Sequence, residues 1–101
     1  MSLVRPGRIW GDVDFEWDDA KSKANLHRRG FGFDFAALVF LGRTLAETDR
    51  RRDYGELRVN VIGEIDGDLY HLTYTDRGGV RRIISARLAH RKERKRWHAS
   101  A

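Results

Sequence analysis

The 101-residue chain is 41% hydrophobic and 35% charged, enough for one domain with a modest core and too little for two. It contains no cysteine, so disulfides, thiolate metal sites and a cysteine nucleophile are excluded. No apolar run approaches the roughly 18 residues of a membrane span and no signal-type segment is present, which sets the expectation of a cytoplasmic protein with no membrane partner.

Residues 1 to 13 hold the only proline and show little periodicity, so an irregular N-terminal arm is expected there, followed by a single domain over 14 to 98 and a short tail at 99 to 101. Phe15-Glu16-Trp17 leads to Asp18, a helix N-cap, and the helix through Ala20, Ala24 and Leu26 should stop at Gly30. A second helix is expected with Asp34 as its cap and Phe33 stapled to Leu38, its Phe35, Ala36, Leu38, Val39 and Phe40 supplying core. After Gly42 come a weak extended segment, Arg43 to Glu47, and a charged loop, Thr48 to Gly55, which reads as solvated and mobile.

Leu57, Val59 and Val61 alternate with polar neighbours, as do Tyr70, Leu72 and Tyr74, and Asp66-Gly67 between them is a hairpin signal. Arg77-Gly78-Gly79 is a second turn into a Val80 to Arg87 strand, completing a three-strand meander. The fold class is α+β: two N-terminal helices, a small antiparallel sheet of the meander plus a short first strand, and a basic C-terminal helix.

That last strand runs into His90-Arg91-Lys92-Glu93-Arg94-Lys95-Arg96-Trp97, and the whole excess of the +5 net charge lies in the second half of the chain. Most of the twenty cations are arginine, whose planar fork suits phosphate and carboxylate, so an anionic partner is expected.

Several strings, taken in order, resemble the BrnT family, the toxin half of a bacterial type II toxin–antitoxin pair with a RelE-like fold. They are Phe15-Glu16-Trp17-Asp18 with Lys21 and Asn25-Leu26, then Phe33 to Phe40, Gly55-Glu56 with Arg58, Thr75-Asp76-Arg77-Gly78, and Arg82-Ile83-Ile84-Ser85-Ala86-Arg87 followed by Glu93. The resemblance covers about residues 14 to 97. The chain departs from it where Arg28-Arg29-Gly30 replaces a Lys-His-Gly and where Trp97 replaces a tyrosine. The resemblance implies an endoribonuclease that inhibits translation, associated with the ribosome or free of it, and a BrnA-like antitoxin that alone contacts operator DNA. It also implies a homo-oligomer or a toxin–antitoxin heterotetramer.

Metal-independent RNA cleavage needs the 2′-hydroxyl to attack phosphorus, a base, an acid and cations for the developing charge; arginine supplies only the last. Glu56, two residues before Arg58 on one strand face, suits a carboxylate base beside a phosphate-binding guanidinium, although a plain surface ion pair has the same spacing. With the resemblance falling on Arg82 and Arg87, the candidate catalytic set is Glu56, Arg58, Arg77, Arg82 and Arg87. In a regular strand Arg81 and Arg82 face opposite ways, and so do Arg82 and Arg87.

Ala89, Glu93 and Trp97 recur every four residues and should face inward, with Glu93 meeting an arginine and an acid or base role as the second reading for it. Arg91, Arg94 and Lys95 then face solvent and, with Arg81, are expected to grip RNA. His71, His90 and His98 could each shuttle a proton, since a free imidazole titrates near pH 6.5, but none has a companion in the sequence, and a solvated or structurally bonded role is the stronger expectation. No metal spacing and no cofactor motif is present. The alternative reading is a non-catalytic nucleic-acid-binding or protein-adaptor module using the basic C-terminal surface.

Overall fold

The structure, a computed structural model, describes residues 14–51 and 53–100; the expected N-terminal arm lies outside them. The elements in chain order are β1 (Asp14–Trp17), α1 (Asp19–Arg29), α2 (Phe33–Ala36), β2 (Thr44–Thr48), β3 (Val59–Ile65), β4 (Asp68–Arg77), β5 (Val80–Leu88) and α3 (Arg91–Ala99). The last helix therefore reaches into the expected tail.

Local chemistry sets both ends of α1. Asp18 accepts a hydrogen bond from the Lys21 N–H at 3.2 Å, and Gly30 ends the helix at φ 88°, a conformation that favours glycine. Two polar side chains buried on this helix fix the next turn. Asn25 donates to the Phe31 carbonyl at 2.9 Å, and Ser22 Oγ accepts the Phe33 N–H at 2.8 Å. This corrects the expected start of the second helix: its N-cap is Gly32 and not Asp34, because Ser22 already satisfies the donor at Phe33 and helical geometry begins there. After one turn α2 tightens into a 3-10 segment, Ala37–Leu41.

The sheet has five strands in the order β1-β5-β4-β3-β2 and is mixed, since β1 pairs parallel with β5 while the other neighbours are antiparallel. The purely antiparallel sheet expected from the sequence is thus corrected. The weak segment after Gly42 is the edge strand β2, and β1 is a further strand whose partner residues, 80 to 83, lie far along the chain. Both hairpins have two-residue turns with positive φ, at Asp66-Gly67 (50° and 87°) and Gly78-Gly79 (56° and 82°), the conformation whose twist matches the flanking strands.

One sheet face carries the main core. Phe33, Ala36, Ala37 and Val39 pack there with Phe15, Trp17, Val61, Leu72, Tyr74, Ile83 and Ala86. The other face has a smaller cluster where α3 crosses it, with Trp97 and Ala89 against Ile62 and Leu69 and Leu45 at the margin. The charged loop is more tightly held than its composition suggests. Asp49 is buried and accepts the Arg51 guanidinium at 2.8 and 3.0 Å and the Tyr54 hydroxyl at 3.3 Å, which holds its carboxyl far below the usual carboxylate range.

Pairing between β4 and β5 slips once: Tyr74 faces Ile83 but Thr73 faces Ser85, leaving Ile84 as a bulge residue. One extra residue inverts the alternation beyond it. Arg82 and Arg87, on opposite faces of a regular strand, come to the same face here.

Candidate functional site

The face partly covered by α3 is built in rows that the strand register defines. One row crosses Glu16, Arg82 and Thr75; a second crosses Ser85, Thr73, Asn60 and Glu47; a third crosses Arg87, His71, Ile62 and Leu45. Helix α3 covers the apolar end of the third row. A cleft of about 660 Å³ opens over the rest, floored by Asn60, His71, Thr73, Ser85 and Arg87. Lys21, Asn25, Arg28 and Arg29 of α1 line it, as do Glu93 and Arg96 of α3, with Arg51 and Glu47 at the β2 side. Six of these lining side chains are cations, Lys21, Arg28, Arg29, Arg51, Arg87 and Arg96, against two carboxylates, Glu47 and Glu93.

At its centre Arg87 grips Glu93 with both ends of its fork, Nη1 to Oε1 at 2.8 Å and Nη2 to Oε2 at 2.9 Å. Glu93 also accepts the His90 N–H at 2.7 Å, which ties the start of α3 to the sheet. The Arg87 hydrogen bonds, chiefly, hold the Glu93 carboxyl down to about 2. Arg87 spends a third donor on the Leu88 carbonyl, so two of its five remain for a ligand. His71 stands across from Arg87, its side chain 12% exposed, with Nε2 3.7 Å from Glu93 Oε2. Burial pushes its imidazole below 6.5, Arg87 pushes the same way, and Glu93 opposes both.

The remaining expected site residues fall elsewhere. Arg82 shares the face of Arg87 but sits two rows away, 3.7 Å from Glu16. Glu56 and Arg58 precede β3 and are not part of it; Glu56 accepts Arg77 at 2.6 Å and lies 3.7 Å from the Nε of Arg58, which stacks on Tyr54. Arg77 holds the Glu56 carboxyl below its ordinary value. That trio lies at the β3-start and β4-end of the sheet and does not line the cleft.

Arg81 points to the opposite face, stacked on Tyr74 and Phe40 and paired with Asp76 at 2.9 Å. Arg91 and Lys95 are exposed on the outer side of α3. Arg94 folds back to the Ala89 carbonyl at 2.7 Å. Of the four residues expected to grip RNA, none lines the cleft.

The cleft residues that the sequence reading passed over had partial signals. Lys21, Ala24, Asn25 and Arg28 follow the i, i+3, i+4, i+7 spacing of one helix face, and Arg96 lies one turn beyond Glu93. Nothing in the sequence says that these two helices line the same cleft. Asn60 and Thr73 carried no site signal, and Ser85 only its place in the family-like string; the three meet only through the register, with Thr73 donating to Asn60 Oδ1 at 2.7 Å.

Residues 17–93 match the family model described as the ribonuclease toxin, BrnT, of a type II toxin–antitoxin system. No curated protein matches the chain.

Proposed function

Because the chain belongs to the BrnT family of ribonuclease toxins of type II toxin–antitoxin systems, we propose that the cleft beside β5 binds an RNA strand and cuts it internally at the phosphate held by Arg87. The observation that carries this reading is the Arg87 guanidinium, fixed by Glu93 with two donors to spare, on the floor of a cleft lined by cations from α1, β5, α3 and the loop after β2. A positioned guanidinium stabilises the charge that develops on phosphorus oxygens without reorganising during the reaction.

Arg82 and the Glu56, Arg58 and Arg77 cluster take phosphates further along the strand in this reading and not the reacting one. Thr75 and His71 mark their two rows and lie four residues apart on β4, roughly 13 Å along the strand, farther than adjacent phosphates reach. Among the described residues no three His, Cys, Asp or Glu side chains converge to hold a metal, and the reading gives the chemistry to protein groups. Cutting messenger RNA would stop translation, and the antitoxin that relieves it is proposed to be BrnA-like and to carry the operator-DNA contact.

The test is incubation of the purified protein with total RNA in EDTA. Fragments ending in 2′,3′-cyclic or 3′-phosphate are expected, and Arg87→Ala should lower the rate by about 10²-fold or more. RNA left intact at high enzyme excess would overturn the proposal.

A further inference from the structure

Arginine cannot take a proton from a 2′-hydroxyl at neutral pH, so a ribonuclease cleft built on Arg87 needs another group for that step. Resting on the ribonuclease reading above, we propose that His71 is the general base of the cleavage, with Glu93 positioning its charge.

The cleft itself narrows the choice. Of its lining side chains Lys21 and the arginines only donate. Glu93 has both oxygens bound by Arg87 and one also by the His90 N–H, and Glu47 accepts Arg96 at 3.0 Å. His71 is the remaining titratable group. Its ring makes no hydrogen bond with any described residue, and its nitrogens are not sealed off from the cleft, which leaves them open to a substrate hydroxyl. It stands opposite Arg87 in the β4–β5 register, so a phosphate on Arg87 brings the adjacent ribose toward the ring.

Charge around the ring suits a base. The groups facing it are Arg87 from β5, His90 at the cap of α3, and Glu93 and Arg96 from α3; burial and the three basic groups outweigh Glu93 and favour the neutral imidazole. Once the ring takes a proton, the Glu93 carboxylate 3.7 Å away stabilises the imidazolium.

In the step itself the O2′–P bond forms as His71 removes the 2′-hydroxyl proton. The P–O5′ bond breaks, leaving a 2′,3′-cyclic phosphate, and the departing 5′-oxygen takes a proton from water at the open side of the cleft. The imidazolium then returns its proton to the hydroxide so formed, and the ring is neutral again.

Single-turnover cleavage of a labelled RNA across pH, read beside RNA affinity by fluorescence anisotropy, tests the assignment. The wild type should lose rate on an acid limb with its midpoint below 6.5. His71→Gln should bind RNA with unchanged affinity, cleave about 10²–10⁴-fold more slowly and lose that limb. Added imidazole should restore part of the rate of His71→Ala, a rescue that a misfolded variant cannot show.

A wild-type rate without an acid limb, a His71→Gln variant cleaving at the wild-type rate, or His71→Ala unresponsive to imidazole would overturn the base assignment and leave the ribonuclease reading standing. A wild type that cleaves no RNA sinks both.

Discussion

Glu93 shows how one side chain serves the fold and the cleft together. It closes the first turn of α3 and holds Arg87 in place, and its carboxyl lies near 2 where an ordinary glutamate titrates at 4.5. A carboxylate whose folded value is depressed stabilises fully above its unfolded value and loses that contribution as pH falls to the folded one. The window here is pH 4.5 down to 2. Glu93→Gln should therefore lower the unfolding free energy by about 1–3 kcal/mol at pH 7. Urea denaturation should show the difference shrinking as pH approaches 2, and a deficit constant across that range would contradict the account. The inward turn of Glu93 was legible from the spacing of Ala89, Glu93 and Trp97; its partner was not, since Arg87 lies on a different element.

At the scale of elements, close packing between a glycine and a helical turn sets how the main core layer sits on the sheet. A Cβ added at Gly63 would lie 2.5 Å from Val39 Cβ, which is itself fully buried. Gly63→Val should destabilise by about 1–3 kcal/mol through overpacking, read as a lowered melting temperature. A Gly63→Val protein as stable as the wild type would mean the 3-10 segment is free to move away. Asn25→Leu should cost about 1–3 kcal/mol by leaving the buried Phe31 carbonyl without its donor, measurable by the same denaturation.

Caps and tight turns were readable because their chemistry is local: Asp18, Gly30, Asp66-Gly67 and Gly78-Gly79 act within a few residues. Strand β1 was not, because four residues carry too short an alternation and its partners come more than sixty positions later. The bulge at Ile84 was equally hidden, since a strand shows its slip only against the strand it pairs with.

Across the whole molecule, the charge that matters is the charge brought to one cleft. Six lining cations against two carboxylates predict RNA binding that weakens by about 10²-fold between 50 and 200 mM salt, as counterion release requires for roughly five phosphates on a single strand. Reversing charge on the wall, Lys21→Glu with Arg28→Glu, should weaken binding and flatten that salt dependence. Reversing the outer side of α3, Arg91→Glu with Lys95→Glu, should do so much less. Equal losses from the two pairs, measured by anisotropy titration, would place RNA over the helix surface and not in the cleft.

By itself the sequence determined the α+β class, the order of most elements, the basic character of the C-terminal half and, through strings spread from Phe15 to Glu93, the toxin family that the matching model over residues 17–93 supports. These depend on local propensity, periodicity and ordered motifs, each readable along the chain. Only the tertiary structure decided which cations share a surface. The bulge turned Arg82 to the face of Arg87 and left Arg81 on the core face. The pairing of β4 with β5 set His71 beside Arg87, and bringing α1 and α3 to the same opening made a cleft from residues up to seventy-five positions apart. Side-chain direction on a strand follows from register, and register is a relation between strands that neither strand encodes alone.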